Sequence, residues 1–289
     1  MSGAVRNQIH PKDRRNWFWP GRVTGRAPDM RADIELELCS GVRLADAAAL
    51  EPEYVPESYV PSGPWEKIRC SPHDDMQAGH PCWPAPRCGV FRAPGFDQAL
   101  WLQIAALEGT DPDRFDRIAA AVTEAMVSDM DALFSFTSSP VIHRMSKNRG
   151  NELTTTVDEK QGLGRVGLHI DSWEGGDFDT RDATMTRLCI NLGPGDRYFL
   201  FVPLSLRHIA LCLPQDVGAA CAQDATPLIN AFFQHYPDAP VMRLLVRPGC
   251  GYFADTDNMV HDGSTLAIDQ GNTHFTVRGK FRLLERLSR

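Results

Sequence analysis

A short run near the middle of the chain, GLHIDSWEGG at residues 167–176, holds a histidine and a carboxylate two positions apart. If this run is a β-strand, His169 and Asp171 project to the same face, because alternate side chains of a strand share a face. The glycines after Trp173 predict that the chain then leaves the sheet in a loop. An imidazole and a carboxylate that converge in this way are two of the three ligands of a facial metal triad.

The third ligand is expected to be a histidine on another strand, and His261 is the best candidate. It follows the strand-like run GYFADTDNMV and opens a turn, HDGST. His208 is expected to be exposed at a strand start, and His235 to end a short helix, where the helix dipole favours a cationic side chain. Two neutral imidazoles and one carboxylate would leave three positions of an octahedral Fe(II) ion open.

His169, Asp171, His261 and Arg278 match the motif HxD…H followed by an Arg or Lys. Over about residues 140–286 the chain therefore resembles the Fe(II)/2-oxoglutarate-dependent dioxygenase superfamily. The resemblance implies that these two histidines and the aspartate hold Fe(II), which 2-oxoglutarate chelates through its ketoacid end. It also implies consumption of O2 and conversion of 2-oxoglutarate to succinate and CO2. Since Asp171 stands where related halogenases have a small residue, the resemblance implies hydroxylation as the default reaction, with desaturation and ring formation as the alternatives.

The far carboxylate of 2-oxoglutarate then needs a basic partner inside the barrel, and arginine can bind a carboxylate with two hydrogen bonds. Arg278 fits, because His274, Thr276 and Arg278 share one polar face of a predicted strand, and the Thr276 hydroxyl would complete the site. The alternative is that this face is exposed and Arg278 is an ordinary surface residue.

The 17 residues from His261 to Arg278 are more than is usual in the superfamily. Arg187 is therefore held in reserve as the cosubstrate anchor. By strand periodicity it shares a face with Cys189 and Asn191, and the Asn191 amide could bind the cosubstrate or the substrate.

The substrate is expected to be a small molecule, such as an amino acid or a natural-product intermediate. Trp173 and Glu174, beside the metal ligands, and His143, in the preceding strand, are the candidate substrate contacts. The net charge of −7 disfavours nucleic acid as a partner. No apolar run approaches the roughly 20 residues of a membrane helix, and the N-terminus lacks the apolar segment of a signal peptide. A reducing cytoplasm is the expected location, and the sequence gives no indication of oligomeric state.

The surrounding elements predict a mainly β fold, a sandwich or barrel with supporting helices. The resemblance implies that its core is a double-stranded β-helix of the jelly-roll or cupin type. Residues 1–110 are expected to be a loop-rich region that wraps the core, with a short helix near 44–50 and entrance-lining residues Trp17, Trp19, Trp65, Trp83 and Arg92. Residues 111–289 are expected to hold one long helix, at 111–134, and the catalytic core. The predicted strands of the core are 141–145, 164–170, 184–192, 198–203, 209–213, 241–246, 251–254 and 273–284, with a short helix at 227–235.

Two other functions fit the same residues. A cupin-like metalloenzyme that does not use 2-oxoglutarate would keep the three ligands without needing Arg278. A non-catalytic β-sandwich binding protein would carry His169 and Asp171 by coincidence. Metal content separates the binding protein from both enzymes, and dependence on 2-oxoglutarate separates the two enzymes from each other.

Overall fold

The computed structural model describes residues 35–45, 54–68, 88–108, 110–143, 145–158, 164–175, 177–178, 180–220 and 224–283. Within them strand exceeds helix and the sheets are antiparallel, so the predicted mainly β fold with supporting helices is confirmed. Trp17, Trp19 and Trp83 lie outside the described residues, as does most of the helix expected near 44–50. No helix of the described part is both long and apolar enough to cross a lipid bilayer.

Fifteen strands and five helices make up the described part of the chain. The strands are β1 (Leu36–Ser40), β2 (Val42–Leu44), β3 (Tyr59–Pro61), β4 (Trp65–Ile68), β5 (Cys88–Arg92), β6 (Phe134–Phe136), β7 (Val141–Ile142), β8 (Ser146–Asn148), β9 (Thr186–Pro194), β10 (Arg197–Ser205), β11 (Pro240–Val246), β12 (Cys250–Ala254), β13 (Met259–Ser264), β14 (Asn272–Gly279) and β15 (Phe281–Leu283). The helices are α1 (Gln98–Glu108), α2 (Pro112–Asp129), α3 (Leu206–Cys212), α4 (Gln215–Ala220) and α5 (Ala225–His235).

Two large antiparallel sheets form the centre of the fold. The five-stranded sheet has the order β13-β10-β11-β1-β4, and the six-stranded sheet has the order β5-β12-β9-β14-β7, with β8 also paired to β14. The described strands of the N-terminal region extend both sheets, since β1 and β4 join the first and β5 joins the second. Phe199, Phe201 and Tyr252 pack together between the two sheets.

Helices cover the outer faces of both sheets, which explains why the long strands are apolar on both sides. Leu188 and Ile190 of β9 alternate with inward residues and pack in one cluster with residues of α1 and α2. Leu200 and Val202 of β10 pack in a second cluster with residues of α3 and α5. The start of α2 was predicted from its cap: the Asp111 carboxylate accepts a hydrogen bond from the Arg114 amide at 3.1 Å.

The strand predicted at residues 209–213 is wrong, because residues 209–212 belong to helix α3 and Leu213 is its C-cap. Ser205 caps this helix by accepting a hydrogen bond from the His208 amide at 3.3 Å. Ile209 and Leu213 are buried, whereas Leu211 between them is 61% exposed. In a strand all three side chains would share one face, so the exposure of Leu211 reflects helical periodicity.

Candidate metal centre

The backbone brings the two histidines together. His169 and His261 form an antiparallel bridge, in which the His169 amide donates to the His261 carbonyl at 3.0 Å and the reverse bond is 2.8 Å. The run 164–170, predicted as a strand, makes only isolated bridges of this kind. His261 lies inside β13 and does not open a turn, since this strand pairs with β10 on its other side. Facing each other across the bridge, the two imidazole rings are 4.7 Å apart between centroids.

His169, Asp171 and His261 converge, as the sequence predicted. One ligand atom from each lies within 4.8 Å of the other two, and no other such group of three occurs among the described residues. His169 Nε2 is 3.8 Å from Asp171 Oδ1, and His261 Nε2 is 3.6 Å from Asp171 Oδ2. Both imidazole nitrogens therefore lie close to the same carboxylate, which is what a facial set of ligands requires.

Hydrogen bonds to backbone carbonyls orient both imidazoles. His169 Nδ1 lies 2.8 Å from the Gly167 carbonyl and His261 Nδ1 lies 3.0 Å from the Met259 carbonyl. Donation from Nδ1 leaves Nε2 of each ring to bind a metal. His261 Nε2 is buried and has no hydrogen-bond partner. A buried polar atom without a partner requires an explanation, and a metal ion at this point would supply one.

The protonation states at the site also suit a divalent metal. Burial lowers the pKa of His261 to about 4, so its imidazole is neutral at neutral pH. Burial acts to raise the pKa of Asp171, but the neighbouring imidazoles and the Arg187 guanidinium outweigh this effect and hold that pKa below its usual range. For His169, the Asp262 carboxylate outweighs burial and raises the pKa, so protons compete with a metal for this ring more strongly than for His261.

Arg187 and Arg278 lie directly opposite each other in the register of β9 and β14, at the end of these strands nearest the metal ligands. Arg187 Nη1 is 3.2 Å from Asp171 Oδ2. Arg278 Nη2 is 3.2 Å from Glu174 Oε1 and 3.4 Å from Asp257 Oδ2. Arg278 is buried, as the inward-facing prediction required. Both arginines, however, already have carboxylate partners within the chain.

Asn191 has a structural task that the sequence did not reveal. Its amide nitrogen donates to the carbonyls of Gly195 and Val246 at 2.9 and 2.8 Å, and its oxygen accepts from the Gly193 amide at 2.9 Å. Both amide hydrogens are thus engaged in holding the turn after β9. Thr276, by contrast, is buried on β14 opposite Cys189, on the same face as Arg278.

Replacing Asn191 with alanine is expected to lower the free energy of unfolding by about 2–4 kcal/mol, because it leaves buried backbone groups without partners. Urea denaturation of the metal-free protein measures this loss. Asn230→Ala is the matched control, since the Asn230 amide makes an exposed hydrogen bond to Glu57. Equal stability of the two variants would contradict the structural role of Asn191.

Arg197 is a residue that the sequence analysis missed. It lies at the start of β10, in phase with Phe199 and Phe201, so it points between the two sheets, and it is only 3% exposed. Its Nη1 lies 3.7 Å from Cys189 Sγ, while its Nε is buried and has no partner. No carboxylate of the described residues forms an ion pair with it. The signal in the sequence was an arginine at a position whose strand neighbours of the same phase are core aromatics.

A histidine of β14 shares the interior with Arg197, and an asparagine of β8 lies within hydrogen-bond distance of it. His274 of β14 is buried, and burial together with the charges of Arg197 and Arg187 lowers its pKa well below the usual value, so its ring is neutral. The Asn148 amide nitrogen lies 3.4 Å from His274 Nδ1. With Nδ1 accepting that hydrogen bond, Nε2 carries the ring proton and is a donor. A buried cation and a neutral donor without an acid between them are suited to an anion.

The predicted substrate contacts lie beside the metal ligands. The His143 ring packs on Trp173 with centroids 4.8 Å apart, and Arg278 Cζ is 5.1 Å from the centroid of the same indole. Glu174 Oε1 also accepts a hydrogen bond from the Met185 amide at 2.7 Å. Trp65 is elsewhere: it packs on Arg243, on the face of the five-stranded sheet that α3 and α5 cover.

Comparison with protein-family models finds no match for this chain, and comparison with curated proteins finds none either. A functional assignment must therefore come from the geometry of the chain's own residues. The most specific features of that geometry are the converging triad and the unpaired buried arginine.

Proposed function

We propose that this protein is an Fe(II)- and 2-oxoglutarate-dependent oxygenase that hydroxylates a small molecule. The convergence of His169, Asp171 and His261 carries this proposal, because two imidazoles and one carboxylate on a single side of a metal are typical of non-haem Fe(II) oxygenases. In the proposed reaction one atom of O2 enters the substrate and the other enters succinate, as 2-oxoglutarate loses CO2.

The strand order supports a double-stranded β-helix as the core. From β9 onward, β9, β12 and β14 belong to the six-stranded sheet, and β10, β11 and β13 belong to the five-stranded sheet. Residues 141–148 pair with β14, whereas His169 pairs with β13. The chain therefore crosses repeatedly between two sheets that face each other, and this crossing is typical of jelly-roll folds.

We infer that Arg197, with His274 and Thr276 nearby on β14, would hold the far carboxylate of 2-oxoglutarate. A buried guanidinium without a carboxylate is costly, and an anionic ligand would remove that cost. Arg278 and Arg187 are weaker candidates for this task, because each has a carboxylate partner within the chain. The proposal thus moves the cosubstrate anchor from β14 to β10.

His169, Asp171 and His261 would hold Fe(II), which with 2-oxoglutarate and O2 would supply the oxidising power for breaking a substrate C–H bond. The chain's own residues do the positioning. The Gly167 and Met259 carbonyls fix the two imidazoles, and Arg187 fixes the carboxylate of Asp171. Trp173 and Glu174 lie beside the ligands, where Trp173 packs on His143 and on the Arg278 guanidinium. The reducing conditions that keep iron as Fe(II) fit the proposed cytoplasmic location.

A second candidate is a cupin-like metalloenzyme without 2-oxoglutarate. The triad alone fits it equally well, but it gives no reason for a buried arginine without an acid. The binding-protein alternative likewise leaves the partnerless His261 Nε2 unexplained. Arg197 therefore favours the oxygenase that uses 2-oxoglutarate.

The first test is to add Fe(II) and 2-oxoglutarate to the purified metal-free protein under anaerobic conditions and to record the visible spectrum. The proposal expects a weak metal-to-ligand charge-transfer band that reaches saturation at one equivalent of each. Iron binding without this band would favour the metalloenzyme that does not use 2-oxoglutarate. Absence of iron binding would remove the enzymatic assignment.

A further inference from the structure

The open side of the triad is bordered by side chains of both charges. Arg187 and Arg278 face each other across β9 and β14, and Glu174 and Asp257 form ion pairs with Arg278. Burial lowers the pKa of His143, and the charges of the nearby Arg278 and Arg187 lower it further, so its ring is neutral. A ligand bound here therefore meets cations and anions together.

Several buried polar atoms of this border lack hydrogen-bond partners. They include Nε of Arg187 and Nε of Arg278, which are donors, and Asp257 Oδ1, which is an acceptor. Nε2 of His143 is also buried and without a partner. Both Arg278 and Asp257 are more than nine-tenths buried. A cluster that leaves donors and an acceptor unsatisfied is complementary to a ligand that carries both a negative and a positive group.

The residues that cover Arg278 come from the loop after the metal ligands. Trp173 is 56% exposed although its ring lies over the Arg278 guanidinium, and the Glu174 side chain is about a third exposed. These two side chains bury little apolar surface and can leave Arg278 without disturbing the core. Glu174 therefore occupies a place on Arg278 that another carboxylate can take.

The charges decide which class of substrate fits. A purely anionic substrate at Arg278 would lie beside Asp257 and Glu174, and like charges at short range repel. A purely cationic substrate at Glu174 would lie beside Arg278 and Arg187. A molecule with a carboxylate and an ammonium on neighbouring atoms avoids both penalties, because each of its charges finds an opposite partner.

We propose that the substrate is a free α-amino acid, bound as the zwitterion. The carboxylate of the substrate replaces Glu174 on Arg278, and Glu174 turns to pair with the substrate's ammonium group. This inference rests on the proposed function, since it assumes that the ring around the triad is a substrate site. Trp173 then packs against the ammonium or the side chain of the amino acid. The side chain of the amino acid extends toward the metal ligands.

Isothermal titration of the full chain with each of the twenty common L-amino acids tests the proposal, first with Zn(II) and 2-oxoglutarate present and then with both absent. At least one amino acid is expected to bind saturably. The tightest one is then compared with two partial molecules, the amine that lacks its carboxylate and the acid that lacks its amine. Each is expected to bind at least about tenfold more weakly, because each loses a charge-assisted hydrogen bond.

Two results would overturn the inference. One is that no amino acid binds at about 1 mM, the upper end of common enzyme affinities. The other is that a partial molecule binds as tightly as the amino acid. Both are separable from failure of the proposed function, because metal content and the charge-transfer band are measured on the same protein without any amino acid.

Variants assign the two charges to residues. Glu174→Gln is expected to weaken binding of the amino acid about tenfold, because a single charge partner is lost. Binding of the acid without an amine is expected to hold or tighten, because a competing carboxylate leaves Arg278. Glu66→Gln, on the exposed β4 strand, is the matched control. Arg278→Lys is expected to retain part of the affinity that Arg278→Met loses. Equal binding by Glu174→Gln and Glu66→Gln would contradict the assigned role of Glu174.

Discussion

Replacing either His169 or Asp171 with alanine is expected to abolish both metal binding and turnover. Loss of residues that only support a ligand lowers metal affinity about 10–100-fold, so loss of a ligand itself should exceed 100-fold. His169→Ala gives the cleaner result, because the hydrogen bond of that imidazole goes to the Gly167 carbonyl, and the neighbouring Asp262 carboxylate keeps hydrogen bonds from Thr156 and Gly263. Asp171→Ala also leaves the Arg187 guanidinium without its carboxylate, so some loss of stability is expected as well.

Metal content after anaerobic loading with Fe(II), read by elemental analysis, measures the first effect, and succinate formation measures the second. His235→Ala is the matched control, since His235 is exposed at the end of α5. Circular dichroism shows whether each variant is folded. Turnover like that of the unchanged protein in either ligand variant would remove the metal assignment.

His169 and Asp171 could be predicted together because their relative position depends on a local rule. An extended backbone brings both to the same side, and here the run 164–170 makes only isolated bridges. The identity of His261 followed from elimination among the remaining histidines. Its placement within β13 could not be predicted, because that depends on pairing with β10 and with His169, contacts far apart in the sequence.

The cosubstrate residues were harder to predict, because periodicity gives the direction of a side chain but not its partners. The inward direction of Arg278 followed from the alternation along β14. Its pairing with Glu174 and Asp257 did not, since these carboxylates lie on loops whose course no periodic pattern encodes. The same limit applies to Asn191, whose partners are the Gly195 carbonyl, in the turn after its own strand, and the Val246 carbonyl, at the end of β11.

The segment that became α3 shows a different limit. Its apolar residues fit a strand and a helix equally over five positions, and the deciding feature was the Ser205 cap just before them. Over so short a run, the spacing of apolar residues cannot distinguish a strand from a helix.

The inward arginines of β9, β10 and β14 differ in one respect that matters for function. Arg187 and Arg278 are paired with carboxylates, and their charges are balanced within the chain. Arg197 has no such partner, although it is the most deeply buried of the three. Because burial of an unpaired charge is destabilising, its retention is best explained by a ligand that supplies the missing charge.

Replacing Arg197 with methionine is therefore expected to have opposite effects on stability and on function. The metal-free protein should unfold at an equal or higher denaturant concentration, because a buried unpaired charge is replaced by an apolar side chain of similar length. The dissociation constant for 2-oxoglutarate should rise at least about 30-fold, as expected when one partner of a buried charge pair is truncated. Metal content should be unchanged.

Urea denaturation and titration of 2-oxoglutarate into the Zn(II)-loaded protein measure these two effects. Arg243→Met is the matched control, because Arg243 is also buried but forms an ion pair with Glu37 and packs on Tyr198 at 4.2 Å. That control should lose stability and keep its affinity for 2-oxoglutarate. Loss of stability in Arg197→Met with unchanged affinity would mean that Arg197 supports the fold instead of the cosubstrate.

Gly263→Ala provides a second route to the same question without removing the charge. A Cβ at this position would overlap an Nη of Arg197 and the Thr155 hydroxyl, so the guanidinium must move. Because His261 and its hydrogen bond to the Met259 carbonyl are untouched, metal affinity should be retained. The affinity for 2-oxoglutarate should fall about tenfold, the effect of disturbing one charge-assisted hydrogen bond. If the displaced guanidinium bound 2-oxoglutarate as tightly as before, its position between the sheets would not matter, and the far carboxylate would have to lie against Arg187 or Arg278 instead.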